Sequence, residues 1–187
     1  FNVSELIFLM PELFLLAAIS CILLFDLYVK EELKKFTYHL SQLALIITGL
    51  LAFNLIGENA TIFSGTFVLD TLGSTFKVFI AGFSIIALVY SRHYLSVHSL
   101  LRNEYFILAL MSILGMLVMV SGHSLLTLYL GLEIMSLSLY ALIATARDRA
   151  FAIEAALKYF VLGAIASGLL LYGMSMIYGI TGNLDIA

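Results

Sequence analysis

Residues 124–145 read SLLTLYLGLEIMSLSLYALIAT, a stretch in which Glu133 is the only charged residue. About 20 mainly apolar residues in a helix are enough to cross the ~30 Å hydrocarbon core of a bilayer. A helix that is apolar on every side has no face for water, so lipid or other membrane helices surround it. The stretch therefore predicts a transmembrane helix with one carboxyl group inside it.

Five further apolar stretches of similar length occur along the chain. The expected spans are residues 11–29, 38–56, 72–90, 105–120, 124–145 and 152–178. Over the whole chain 63% of residues are hydrophobic and 11% are charged, and the mean hydropathy is +1.11. Soluble domains carry about 25% charged residues. The composition excludes a water-soluble globule and predicts an all-α, polytopic bundle of about six transmembrane helices.

The basic residues fall in alternate loops, with the exception of Lys77 and Lys158. They lie between spans one and two, three and four, and five and six: Lys30, Lys34, Lys35, Arg92, Arg102, Arg147 and Arg149. The positive-inside rule places these loops in the cytoplasm and the N-terminus outside. The outer segment 57–70 alternates apolar and polar residues, which predicts a short hairpin or interfacial strand. No basic stripe suggests a nucleic-acid partner.

Glu133 is the acid nearest a bilayer midplane, roughly 13 Å from the start of its span. A charge at that depth costs about 2.5–3.5 kcal/mol on insertion scales, so it persists where it has a partner or a function. Tyr129, Ser136 and Tyr140 share its helical face and form a polar stripe. We interpret this stripe as the wall of a hydrated proton path. The alternative is a neutral glutamic acid that is hydrogen-bonded within the bundle.

Lys158 lies roughly 9 Å into the sixth span from the opposite side of the membrane. One interpretation pairs it with Glu133, directly or through water. The other is snorkelling, in which the ammonium reaches the headgroups and Glu154, four residues earlier, is its partner. The opposite face of the span carries small residues that predict close helix packing: Gly163, Ala164, Ser167 and Gly168.

The remaining membrane charges have simpler interpretations. For Lys77 we expect snorkelling or a local ion pair with Asp70, and we expect Glu12 to be interfacial. The chain has one cysteine and no Cys-x-x-Cys pair, Walker loop or cluster with metal-ligand spacing. We therefore expect no metal site or redox centre in this chain.

Two motifs resemble the antiporter-like subunits of respiratory NADH–quinone oxidoreductase (complex I). The first is residues 128–137, LYLGLEIMSL. The second is residues 154–164, EAALKYFVLGA, which is followed by Ala166-Ser167-Gly168 and by LYGM at residues 171–174. Together they are similar to the N-subunit family in particular, and the resemblance is strongest over residues 103–184.

The resemblance implies a 14-helix subunit with two inverted five-helix repeats. Residues 1–102 then correspond to three leading helices, and residues 103–187 to the first three helices of the first repeat, truncated. We expect both ends to be cut from a longer protein. The resemblance also implies that Glu133 and Lys158 belong to a proton-transfer chain.

At the level of the complex, the resemblance implies redox-coupled proton translocation in a bacterial inner membrane, or in a mitochondrial inner or thylakoid membrane. The other membrane subunits are the implied partners, together with lipid and protons. NADH, FMN, iron–sulfur clusters and a quinone are implied for the holoenzyme, and we expect this chain to bind none of them. We also expect no catalysis by these residues alone. The alternatives are a multisubunit cation/proton antiporter, a membrane-bound hydrogenase or a non-conducting membrane scaffold.

Overall fold

A computed structural model describes residues 3–28, 36–98 and 100–186 of the chain. Each of the six predicted spans corresponds to one α-helix in it, and all six helices are long and apolar enough to cross a membrane. The helices are α1 (Met10–Tyr28), α2 (Phe36–Asn54), α3 (Thr71–Val97), α4 (Asn103–Ser121), α5 (Leu125–Ala144) and α6 (Ala150–Thr181). A 3-10 helix, Val3–Leu9, leads into α1. The predicted all-α membrane bundle is confirmed.

Two helices are longer than the sequence predicts. The α3 helix continues to Val97, past the expected end at residue 90, and α6 has 32 residues. At 1.5 Å per residue these helices are about 40 Å and 48 Å long, which exceeds the ~30 Å hydrocarbon core. Hydropathy marks where a helix leaves the lipid, whereas the backbone hydrogen bonds continue into the headgroup region.

The predicted hairpin between α2 and α3 is confirmed. Strands β1 (Ala60–Ile62) and β2 (Phe67–Leu69) pair antiparallel, with Ile62 opposite Phe67. A short 3-10 turn, Phe63–Gly65, joins them. Gly65 adopts a φ of 96°, which favours glycine because it lacks a β-carbon. Ile62, Phe67 and Leu69 are buried.

The hairpin, the α4–α5 connection and the segment after α6 meet at one end of the bundle. Phe67 forms a β-bridge with Gly122, and the Thr66 carbonyl accepts a hydrogen bond from the His123 N–H at 3.0 Å. The Leu125 N–H donates to the Leu184 carbonyl at 2.9 Å. We call this the hairpin end.

Charged side chains cluster at the opposite end, which we call the arginine end. Arg147 pairs with Glu104 at 3.0 Å, and Arg102 pairs with Asp148. The Arg149 guanidinium donates to the His98 carbonyl at 3.3 Å. The two described basic loops therefore meet on one side of the bundle, as their alternation predicts. Lys30, Lys34 and Lys35 lie outside the described residues.

The α4 helix occupies the centre of the bundle, where it packs on α1, α2, α3 and α5. Leu110 and Leu117 of α4 are fully buried, and Phe106 is 1% exposed. The same core includes residues of α1, α2 and α3: Leu15, Ile19, Ile22, Ala44, Leu45 and Leu88. By contrast, Ala156 is the one buried residue of α6, which packs on α5.

The expectations for Lys77 and Glu12 are wrong. Lys77 Nζ lies 2.6 Å from Glu12 Oε1, and the side chains are 1% and 6% exposed. Asp70 has a different partner, because its carboxylate accepts a hydrogen bond from the Gly73 N–H at 2.7 Å and so caps the start of α3. Lys77 therefore forms a buried ion pair between α1 and α3 instead of reaching the headgroups.

Candidate functional site

Two glycines determine which way Glu133 faces. A β-carbon added to Gly115 of α4 would lie 2.6 Å from the Gly131 carbonyl oxygen of α5, so the two backbones are in direct contact. Small residues permit such close approach between membrane helices. Glu133 follows Gly131 by two residues, about 200° around the helix. With Gly131 against α4, the Glu133 side chain is directed away from α4.

The Glu133 carboxylate meets α6 at Ser167. The Ser167 hydroxyl donates a hydrogen bond to Glu133 Oε1. The Tyr129 hydroxyl oxygen lies 3.1 Å from Ser167 Oγ, close enough for a second hydrogen bond. All three residues are half-buried between the two helices. Tyr129, Ser167 and Glu133 thus form a continuous chain of hydrogen-bonding groups, which we call the hydroxyl chain.

The other members of the predicted polar stripe have different surroundings. The Tyr140 ring packs edge-on against Tyr159 at 4.7 Å and against Phe160 at 5.9 Å. A β-carbon at Gly163 would overlap the Tyr140 hydroxyl, so glycine there makes room for the ring. Ser136 is half-buried on the same side of α5. The stripe therefore faces α6, with a polar part at Glu133 and an aromatic part at Tyr140.

Lys158 lies on another face of α6. Its Nζ is 2.6 Å from Glu154 Oε1, and the two side chains are 70% and 64% exposed. Ser167 follows Lys158 by nine residues, which is about half a turn away around the helix. Because Ser167 faces Glu133, Lys158 faces away from it. The structure joins Lys158 to Glu154 and does not join it to Glu133.

Ser167 is the partner that the sequence analysis missed. Its place in a row of small residues predicts a packing face instead. Gly163 of that row does contact α5, whereas Gly168 has open space around it. The usable signal was the hydroxyl, the only one among the four small residues opposite Lys158.

Metal ligands are not grouped in the described ranges 3–28, 36–98 and 100–186. No set of three His, Cys, Asp or Glu side chains there is arranged to hold a metal ion. The polar groups of the site are hydroxyls and one carboxyl group. Both kinds of group can donate and accept protons.

The part of the chain that contains this site is similar to a known protein family. The family described as NADH:quinone oxidoreductase/Mrp antiporter, TM, matches residues 122–187. The NADH-quinone oxidoreductase subunit N of Ruthia magnifica is 67% identical over the whole chain, which covers 39% of that protein. The chain belongs to the subunit N family. The relative from Alkalilimnicola ehrlichii is 50% identical over 95% of the chain and 37% of its own length.

Solved structures show the same helical arrangement as this chain. A chain of respiratory complex I from Thermus thermophilus, with bound aureothin, superimposes with a TM-score of 0.77 and 26% identity. The match covers 95% of this chain and 38% of the Thermus thermophilus chain. An archaeal membrane-bound sulfane sulfur reductase matches with a TM-score of 0.79 at 23% identity, over the same shares, which shows a common fold.

The family assignment confirms the resemblance that the two motifs predict. The chain spans about two fifths of the length of the curated subunit N relatives, 39% for the Ruthia magnifica protein. Glu133, Ser167 and Lys158 all lie within residues 122–187, the segment matched by the family. The candidate site therefore lies within the segment that matches the family model.

Proposed function

We propose that this chain is part of a membrane-arm subunit of NADH–quinone oxidoreductase that takes part in redox-coupled proton translocation, with Glu133 as a proton carrier. The observation that supports this most directly is the hydroxyl chain, which ends on a carboxylate inside a transmembrane helix. A carboxyl group at membrane depth is kept where it has a function or a partner. Here its partners are hydroxyls, which can pass a proton on.

The hydroxyl chain gives the proton a route between the hairpin end and Glu133. Tyr129 lies about 6 Å along α5 from Leu125 at the hairpin end, and Glu133 lies about 6 Å further. When a proton reaches the Ser167 oxygen from water, or from Tyr129 as that tyrosine takes up another proton from the hairpin end, the serine's own proton passes to the Glu133 carboxylate. The serine hydroxyl is restored and Glu133 becomes neutral. The reverse transfers return the proton, so Glu133 alternates between the two states.

Lys158 enters the proposal as an electrostatic partner of Glu133 across α6. A positive lysine nearby stabilises the ionised carboxylate, and moving or neutralising that charge favours proton uptake. Lys158 is hydrogen-bonded to Glu154. A change in that pair alters the field at Glu133 without direct contact. Ser136 extends the proposed path along the same side of α5 towards the arginine end, and the ring of Tyr140 forms part of its wall, because it packs on Tyr159 and Phe160.

The rest of the proposal concerns the whole protein. Residues 1–102 form three leading helices, and residues 103–187 open the first antiporter-like repeat, in which the family match at 122–187 lies. The N-terminus faces outward across a bacterial inner membrane. Other membrane subunits of the complex are the partners, and NADH, FMN, iron–sulfur clusters and a quinone carry the electrons outside this chain.

The deciding experiment replaces Glu133 in the full-length protein within the assembled complex. Glu133→Gln keeps the shape and the hydrogen bond from Ser167 but removes the titrating carboxyl group. We expect coupled quinone reduction and proton pumping to fall together while complex content stays normal. Glu58→Gln, in an exposed loop, is the matched control and keeps full activity. Normal pumping with Glu133→Gln overturns the proposal.

Two alternative functions make different predictions for the same variants. A cation/proton antiporter, which the matched family description also names, would lose sodium-dependent proton exchange instead of quinone-coupled pumping. A membrane-bound hydrogenase subunit would lose hydrogen-linked pumping. A non-conducting scaffold would lose complex content first, because removal of one member of a half-buried polar contact destabilises the bundle.

A further inference from the structure

A buried charge pair lies apart from the hydroxyl chain. Glu12 of α1 and Lys77 of α3 form an ion pair of 2.6 Å in which both side chains are more than nine-tenths buried. Lys77 is among the largest fully buried side chains of the described residues. Neither residue belongs to α5 or α6, which carry Glu133, Ser167 and Lys158. The proton path described above makes no use of this pair.

Unsatisfied polar atoms accompany the pair. The hydroxyls of Ser74 and Ser121 are buried, and neither has a hydrogen-bond partner among the described residues. The same is true of Glu12 Oε2. Ser74 is fully buried and Ser121 is 2% exposed. More than nine in ten buried polar groups in proteins have a partner, either protein or ordered water.

These groups lie in one region at the hairpin end. Ser74 precedes Lys77 by three residues and so shares its face of α3. The centre of the Phe67 ring lies 5.2 Å from Lys77 Nζ. The backbone of Phe67, in β2, forms a β-bridge with Gly122, the residue after Ser121. The neighbour on the other side, Val120, approaches Gly73 of α3. Ser121 therefore lies between Val120 and Gly122, and these two residues contact the neighbourhood of Ser74 and Lys77.

We propose that Glu12, Ser74, Lys77 and Ser121 form a second proton-holding site, in which the two serine hydroxyls bind water beside the ion pair. Buried waters in proteins typically make about three hydrogen bonds to otherwise unsatisfied polar groups. The two hydroxyls, Glu12 Oε2 and the ammonium supply such a set. This inference rests on the proposed function, because it adds a second station to the same proton translocation.

The chemistry of the pair suits a station that stores a proton. With the ammonium and the carboxylate both ionised, the pair has no net charge. Transfer of one proton from Lys77 to Glu12 leaves a neutral amine and a neutral acid, again without net charge. When the bound water gives a proton to the carboxylate of the ionised pair and takes up another proton in exchange, the site gains one positive charge. The reverse relay through the same water removes that charge. Removal from water penalises both charged forms, so the neutral pair competes with the ionised pair more closely than it does in water.

A structural role alone predicts something different. Buried ion pairs are often replaced by well-packed apolar residues with no loss of stability. A pair that only holds α1 against α3 should therefore be dispensable as a unit. In the same way, two dry hydroxyls without partners should be replaced by alanine at no cost.

The test uses the full-length protein in the assembled complex. The double variant Ser74→Ala/Ser121→Ala removes only the two hydroxyls. The double variant Glu12→Leu/Lys77→Met replaces the pair with apolar side chains of similar size. In both we expect normal complex content and a severalfold fall in protons pumped. Normal pumping in the serine variant, whose fold is the least disturbed, overturns the proposal.

A charge exchange and the Glu133→Gln variant complete the test. Glu12→Lys/Lys77→Glu keeps both titrating groups, so it should restore pumping relative to the apolar pair, and a failure to pump despite normal complex content counts against the site. If Glu133→Gln abolishes pumping while the serine and apolar variants pump normally, the second station alone is wrong. If Glu133→Gln pumps normally, the proposed function itself is wrong.

Discussion

Gly131 of α5 lies against Gly115 of α4 so closely that a β-carbon on either residue would come within 3 Å of the other's carbonyl oxygen. This contact fixes the rotation of α5 about its own axis. The rotation in turn aims Glu133 at Ser167 of α6. A packing contact between two glycines therefore positions a carboxyl group on the far side of the helix.

We expect Gly115→Ala and Gly131→Ala to destabilise the bundle. The new methyl group at Gly115 would meet the backbone of Gly131 and Met135 at 2.6 Å, and backbone cannot swing aside. Overpacking of this kind costs about 1–3 kcal/mol. Thermal unfolding in detergent measures the effect. Gly82→Ala, which has open space around it, is the control, and a melting temperature equal to the control's would contradict the prediction.

The hydroxyl chain predicts different effects for two tyrosines on α5. Tyr129→Phe removes the hydroxyl that lies 3.1 Å from Ser167 and should slow proton transfer. A tenfold slowing corresponds to about 1.4 kcal/mol in the barrier. Tyr140→Phe is the matched control, because the ring of Tyr140 packs on Tyr159 and its hydroxyl makes no hydrogen bond with the described residues. Membrane potential measured in the assembled complex separates them, and equal effects would refute the chain.

Ser167 should be more sensitive than its small neighbours. Ser167→Ala removes the donor to Glu133 and the link to Tyr129, so we expect proton pumping to fall by about the same tenfold, or ~1.4 kcal/mol. Ser167→Thr keeps a hydroxyl and should retain part of the activity. Gly168→Ala has space for the added carbon and should pump normally. Full pumping by Ser167→Ala would exclude it from the path.

For Lys158 we expect an effect on pumping without an effect on stability. An exposed ion pair four residues apart on a helix contributes about 0.3–0.5 kcal/mol, so losing Glu154–Lys158 changes the melting temperature little. Lys158→Met should reduce pumping more than Lys158→Arg, which keeps the charge. Glu154→Gln is the control for loss of the pair itself. Complex content and membrane potential are measured side by side.

Topology is tested by labelling single cysteines in the full-length protein. With every native cysteine replaced, including Cys21→Ala, Glu58→Cys should react with an impermeant thiol reagent added from outside. Arg147→Cys should react only after the membrane is opened, because the basic loops face the cytoplasm. Both side chains are exposed and so accessible to the reagent. Labelling of the Arg147 site from outside would reverse the orientation.

The sequence predicted the six spans and the hairpin because both depend on local patterns. Twenty apolar residues in a row and a run of alternating residues are visible without knowing what packs against them. The end of α3 at Val97 was not visible, since Arg92 and His93 lower the hydropathy while the helix continues. Charge in a sequence indicates the membrane boundary better than the helix boundary.

Partners of charged side chains were harder to predict, because they depend on which helices meet. Lys77 and Glu12 are far apart in sequence, and nothing local relates them. The depths of Lys158 and Glu133 in the membrane permit an ion pair between them. The rotation of α6 about its own axis, however, puts Lys158 on another face. Rotation follows from contacts such as that between Gly115 and Gly131, which only the folded chain contains.

The contacts within the hairpin end differ in kind from the contacts within the arginine end. At the hairpin end the ties are main-chain hydrogen bonds, from His123 to Thr66 and from Leu125 to Leu184. At the arginine end they are side-chain pairs such as Arg147–Glu104. Main-chain hydrogen bonds survive most changes of residue type, whereas a side-chain pair is lost with either partner. Among related sequences, evolutionary drift should therefore be freer around the hairpin, while substitutions in the arginine loops should occur in compensating pairs.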